Sequence, residues 1–257
     1  MVPRLLLLTL TCMVFASDAS ATTAIALRSR HRVVLAADSR AIYGANRNAT
    51  ECKIFEYRNV YATVAGLAHY GTGFRSSDFR SSDAILDGFS RPGTFQNHIS
   101  ATAYSLERRV RNLLGTLQRN NPDEYRRLMQ RAAAQSDFVA LALAEMVGGD
   151  PMLGVIELQR VGGQQTFAVK VTICPGNCRQ GAGIFYLGYW EQIRPYVSNS
   201  GQERSVGSAA SIDRLIRLEI NVHPAEVGAP INILELGGSG PRWLQNGGNC
   251  SLPGVGW

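Results

Sequence analysis

The sequence predicts an α+β fold, and three observations carry the prediction. Strand-like segments open the chain behind a short apolar leader, a helical period takes over in the middle, and strands return afterwards. The 257 residues are 45% hydrophobic and 18% charged, which suits one globular domain with a sizeable core and argues against disorder. No internal repeat, linker or low-complexity segment divides the chain, so the strands and helices are expected in a single α+β sandwich.

Residues 1–21, "MVPRLLLLTLTCMVFASDASA", place Arg4 before an apolar run from Leu5 to Ala16 and end in an A-x-A site at Ala19 and Ala21. This is the layout of a secretory signal peptide, and the run is too short to span a bilayer. Thr11 precedes Cys12, where a lipid-anchor site would want a small residue. Later in the chain no apolar stretch approaches about 18 residues, so no membrane anchor is expected once the leader is gone. An exported domain over 22–257 follows, in a periplasm or outside the cell, with a loose tail after about residue 250.

From Thr22, "TTAIALRS" alternates in strand fashion, "RSRHR" turns, and "VVLAAD" forms a β-branched, buried run. A loop containing Gly44 leads to two further strands, "CKIFEY" and "VYATVAGLA". Between Phe95 and Gln118 the positions Ile99, Ala103, Leu106, Val110 and Leu113 or Leu114 share one helical face. "NPDEYRRLMQRAAAQ" predicts a second helix, with Asn121 as cap, Pro122 in first position and acids in the opening turn. "FVALALAEMV", "MLGVIELQ", "TFAVKVTI" and "GIFYLG" read as strands divided by glycine-rich turns. A third helix near "SAASIDRLIRLEI" precedes two last strands, "PINILEL" and "RWLQ".

Export changes the meaning of the cysteines. Cys12 leaves with the leader, and Cys52, Cys174, Cys178 and Cys250 remain as an even set in an oxidising compartment, with three pairings open. The Pro-Gly turn in "CPGNC" favours Cys174–Cys178, which leaves Cys52–Cys250. A metal site needs further Cys or His at ligand spacing, and none lies near "CPGNC", so neither metal nor cofactor is expected. The net charge of +6 is carried almost wholly by scattered arginines. The runs "RSRHR" and "ERRVRN" read as solvated surface, and no nucleic-acid motif accompanies them.

The junction at Ala21–Thr22 carries the chemistry. A threonine hydroxyl is a weak nucleophile and needs a base beside it. A free α-amino group titrates near working pH and would sit on the same residue once the leader is cut. Lys53 offers a cation to keep that amine neutral, and Asp38 a carboxylate to fix the cation. His69 lies three residues past Gly66, while His31, His98 and His223 show no partner in the sequence. "NAT" at Asn48 and "NCS" at Asn249 match glycosylation sequons, with chance as the default reading.

"TTAIALRSRHRVVLAADSRAIYG", then "CKIF", then "VYATVAGLA", resembles the N-terminal half of proteasome β-type subunits and their bacterial relatives. Those are N-terminal-nucleophile hydrolases, and the resemblance implies a four-layer αββα sandwich. On this pattern Thr22 would be the nucleophile and Asp38 and Arg40 the D-S-R element, with Arg40 bracing Asp38. Lys53 would be the catalytic lysine, and Gly66 the glycine whose N–H forms the oxyanion hole. The resemblance covers residues 22 to about 70. Beyond it, "LGYW" puts Tyr189 where such subunits carry a supporting serine, and "HPAEVGAPINI" puts Pro224 and Val227 where they carry an Asp and a Ser; Tyr189 or Glu226 are the candidates to stand in.

The implied activity is an exported threonine-type amide hydrolase acting on a peptide or another amide. The alternative is a catalytically inactive binding or assembly protein on the same fold, which the missing serine and Asp/Ser pair motivate. The resemblance also implies a homo-oligomer, with ring, dimer and monomer left open.

Overall fold

Alternation of side chains along the strands explains how one short sequence can feed two cores. The structure, a computed structural model, describes residues 22–43, 46–71, 78–133, 137–161, 167–178, 183–200, 207–247 and 250. The leader, the sequons at Asn48 (its side chain) and Asn249, and the tail beyond Cys250 lie outside what is described.

Two five-stranded sheets dominate, and their strand pairs are antiparallel. The first runs β12 (Gly183–Gly188), β1 (Thr23–Arg28), β2 (Arg32–Asp38), β13 (Ile231–Gly237), β14 (Gly240–Gln245). The second runs β11 (Phe167–Cys174), β10 (Asp150–Arg160), β9 (Val139–Val147), β6 (Val60–Gly66), β5 (Ile54–Tyr57). Two small ribbons pair β3 (Arg40–Tyr43) with β4 (Asn46–Thr50), and β7 (His69–Tyr70) with β8 (Phe79–Arg80). The helices are α1 (Ser81–Gly88), α2 (Phe95–Asn120), α3 (Pro122–Ala133), α4 (Ile193–Ser200) and α5 (Ala209–Val222).

Three buried clusters follow from the two-residue period. Ala24 and Ala26 of β1, with Leu35 of β2, meet Ala140, Ala142 and Ala144 of β9 between the sheets. The alternate residues Ile25 and Leu27 turn the other way, onto Ile193 of α4 and Ile212, Leu215 and Ile216 of α5. In β9, Leu141 and Leu143 likewise face Ile99, Leu106 and Val110 of α2. Strands buried on both faces read as near-continuous apolar runs, which is how "TAIAL" and "VALALA" look in the sequence.

The predicted helices form with the expected signals. Asn121 Oδ1 accepts the Glu124 N–H at 3.2 Å at the start of α3, and Ser208 and Ser211 form a capping box on α5. Two helices and a hairpin depart from the sequence reading. The loop expected around Gly44 is flanked by the β3–β4 ribbon. Helix α1 is only eight residues long and ends in glycine, too short for a period to show. Helix α4 carries Pro195 in its first turn, where the missing N–H does no harm, and its cap comes from a distant residue. The fully buried Glu219 accepts the Gln192 and Ile193 N–H groups at 2.7 and 2.9 Å, which sets a carboxylate at the positive pole of α4.

Both favoured cysteine pairs are present as disulfides, Cys52–Cys250 and Cys174–Cys178. They are consistent with an exported protein. Among the described residues no helix is long and apolar enough to cross a membrane.

Candidate active site

The site forms where the β1–β2 pair meets the start of β5. Asp38, the last residue of β2, is fully buried, and burying a carboxylate demands donors. It receives four. Oδ1 accepts the Lys53 ammonium and the Thr23 N–H, each at 3.0 Å, and Oδ2 accepts the Arg40 and Gly228 N–H groups, each at 3.0 Å. The Arg40 contact with Asp38 is made by its backbone N–H; its side chain lies over Gly228, where any Cβ would collide with it. Burial pushes the Asp38 carboxyl up, against the Lys53 charge and the Gly228 and Thr23 donors. Burial likewise pushes the Lys53 ammonium down, against the charge of Asp38.

Thr22 sits one residue before this network and is completely buried in the uncut chain. Its carbonyl oxygen accepts the Tyr189 N–H at 3.1 Å, and the neighbouring Thr23 hydroxyl donates to the Tyr189 carbonyl at 2.9 Å. Among the described residues the Thr22 hydroxyl has no hydrogen-bond partner. A buried hydroxyl left unsatisfied is costly, and such groups ask for an explanation.

Two glycines shape the ground around Thr22. Gly188 (φ +76°) closes β12, and a Cβ there would collide with the Thr22 carbonyl oxygen and sit 3.1 Å from the Ala65 Cβ. Gly66 (φ +78°) follows Ala65, and its own Cβ would lie 2.5 Å from the Phe138 carbonyl oxygen. Both positions need left-handed backbone and an empty Cβ site. Gly188→Ala is expected to cost about 1–3 kcal/mol and to displace Thr22. Urea unfolding would check the cost; a stability equal to the parent chain would contradict it.

The structure thus joins Asp38, Lys53 and the Arg40 backbone by hydrogen bonds, and Gly188 packs between the Thr22 carbonyl and Ala65, the residue before Gly66. Sequence reading missed Gly188 and Gly228. Val227 is fully buried against Tyr189 and contributes packing, while the next residue supplies the N–H to Asp38. His223, which showed no partner in the sequence, stacks on Tyr189 at 4.6 Å with Nε2 3.5 Å from Glu191. His98 stacks on Phe89 and His69 is half-buried in β7. A separate cleft of about 240 Å³, lined by Phe55, Tyr57, Arg80, Ile85 and Leu86, opens between β5 and α1 on the helix-facing side of the second sheet.

Asp137 is a further buried acid near the site, one residue before the Phe138 carbonyl that crowds Gly66. It accepts Gln159 Nε2 at 3.0 Å, and burial pushes its carboxyl up to about 6. A raised carboxyl contributes stability that is full below the unfolded value and lost as pH rises through about 6. Asp137→Asn is therefore expected to gain about 2 kcal/mol at pH 8 and no more than about 0.5 kcal/mol at pH 4. Urea midpoints at the two pH values check this; equal shifts at both would refute it.

No family model and no curated protein matches the chain. Among solved structures, the Anbu (Gly-1) mutant from Hyphomicrobium sp. strain MC1 is 15% identical, with 87% of this chain and 86% of that chain covered at a TM-score of 0.48. Anbu (ancestral beta-subunit) from Yersinia bercovieri is 14% identical, with 86% of each chain covered at a TM-score of 0.47. These findings correct the expectation of membership among proteasome β-type subunits. The matching motifs occupy only residues 22 to about 70, and the second half keeps an order of elements without the corresponding side chains at Tyr189, Pro224 and Val227. What stands is a mixed α/β fold with antiparallel sheets.

Proposed function

We propose that the chain is an exported threonine-type amide hydrolase whose nucleophile, Thr22, is freed by removal of residues 1–21. The observation that carries this reading is the buried Thr22 hydroxyl, unpartnered among the described residues, next to Thr23, whose N–H bonds the Asp38 of the Asp38–Lys53 pair. In the uncut chain the Thr22 nitrogen is an amide and its side chain is buried, so the precursor would be inert. Cutting after Ala21 would supply the nucleophile and its base on one residue. Thr22 Oγ attacks an amide carbonyl while the new α-amine takes the hydroxyl proton. The C–O bond forms, the oxyanion is met by the Gly66 N–H, and the amine leaving group departs with that proton. Water then releases the acyl group. Lys53, held by Asp38, favours the neutral form of the α-amine through its charge. Peptides, or another amide, are the substrate class.

The three buried clusters support a helix–sheet–sheet–helix order for this domain, the four-layer αββα arrangement. A second reading, an inactive binding or assembly protein, draws on position 189, where a tyrosine meets the Thr22 carbonyl with its backbone N–H and supplies no serine hydroxyl. N-terminal sequencing of the secreted protein tests the first step. A mature chain beginning at Thr22 is expected, and any other start sinks the catalytic proposal.

A further inference from the structure

Each member of the Asp38–Lys53 pair has a chain neighbour tied to a residue late in the chain, one to Cys250 and one, through Asn232, to Gly247. Cys52, immediately before Lys53, is bonded to Cys250 across a separation of 198 residues. On the other side, the Gly247 N–H donates to Asn232 Oδ1 at 2.8 Å, and Asn232 Nδ2 donates to Ser39 Oγ at 2.7 Å, immediately after Asp38. Asn232 and Ser39 are fully buried. Gly247 lies so close to the Pro230 ring that any Cβ would collide with it. The Asn246 side chain donates to the Cys250 carbonyl at 3.2 Å, and the Glu51 N–H joins the two arms by donating to the Ser39 carbonyl at 2.8 Å.

Nothing in the strand ladders alone demands this attachment. The first ladder pair of β5 is Ile54 with Thr63, so Lys53 stands just outside the sheet. A lysine side chain is long and flexible, and a buried ion pair is favourable only when its geometry is held. We propose that Asn246, Gly247 and Cys250 form a strap that positions the Asp38–Lys53 pair from both sides, one arm covalent through Cys52 and one hydrogen-bonded through Asn232 and Ser39. The proposal deepens the hydrolase reading and rests on it only for the role of Lys53. Cys52, Cys250, Asn232 and Ser39 are positioning residues, and Asn246, Gly247 and Cys250 thereby become part of the site's support.

The chain has two lysines, Lys53 and Lys170, which makes a direct test possible. The Lys53 side chain is 7% exposed and that of Lys170 58% exposed, so Lys170 serves as the internal reference. The secreted protein is treated with an acetyl N-hydroxysuccinimide ester, and each lysine is followed by peptide mass spectrometry under folded conditions. In Cys52→Ser/Cys250→Ser, Lys53 is expected to acetylate at least about tenfold faster while Lys170 is unchanged, because local opening sets the rate. Cys174→Ser/Cys178→Ser is expected to leave Lys53 protected. A Lys53 rate within about twofold of the parent in the first variant overturns the strap. Where that variant does not fold, Asn232→Ala is read instead: a rise of about threefold supports the strap and an unchanged rate overturns it. A mature chain that never acylates at Thr22 removes the hydrolase reading, and the Lys53 rates then still decide for or against the strap.

Discussion

Replacing Asp38 with asparagine is expected to lower the unfolding free energy by about 3–5 kcal/mol, because it removes the buried carboxylate that the buried Lys53 ammonium is bonded to. The Asp38 side chain is fully buried and accepts from Lys53, Thr23, Arg40 and Gly228. Asparagine keeps the shape but turns one acceptor into a donor facing other donors. At about 2–4 °C per kcal/mol for a domain of this size, the melting point should fall by roughly 10 °C. The pH dependence has a definite sign. Burial lowers the Lys53 ammonium, and a neutral amine is cheaper to bury, so the deficit should shrink as pH rises. Urea unfolding at pH 7 and pH 9 measures both effects. A deficit under about 1 kcal/mol at pH 7 would mean that the pair is not held as a buried ion pair.

Thr22→Ala is expected to separate function from stability. The Thr22 hydroxyl has no hydrogen-bond partner among the described residues, so removing it is expected to cost no bond and to relieve an unsatisfied group. Stability should stay within about 0.5 kcal/mol of the parent or rise. Amide hydrolysis, by contrast, should fall by at least about 10³-fold, as it does when a nucleophile is deleted from a working site. A large loss of stability would instead assign Thr22 a structural role at the start of β1.

Much of the fold was legible because its strands alternate cleanly. "TAIAL" and "VALALA" place small residues toward the facing sheet and larger ones toward helices, a pattern that needs no tertiary knowledge. Helix α4 was not legible, since its capping carboxylate comes from Glu219, on a later helix. Helix α1 was too short to show a period. In the site, Asp38, Lys53 and Gly66 stood out through motif resemblance, and the structure joins Asp38 to Lys53 at 3.0 Å. The Gly228 N–H on Asp38 and the Gly188 contact with Thr22 were hidden, because backbone donors and empty Cβ sites leave no side-chain signature. The Asn232–Ser39 bridge escaped for a related reason: its partners are 193 residues apart and both are common polar residues.

The central claim is that Thr22 is the nucleophile. Treating the protein produced with its leader, after any cleavage, with a β-lactone probe, then mapping the adduct by tandem mass spectrometry, tests it most directly. The predicted result is an ester on Thr22 Oγ of a chain that begins at Thr22, absent from Thr22→Ala. A folded chain that begins at Thr22 yet carries its adduct on another residue, or none with any such probe, would contradict it.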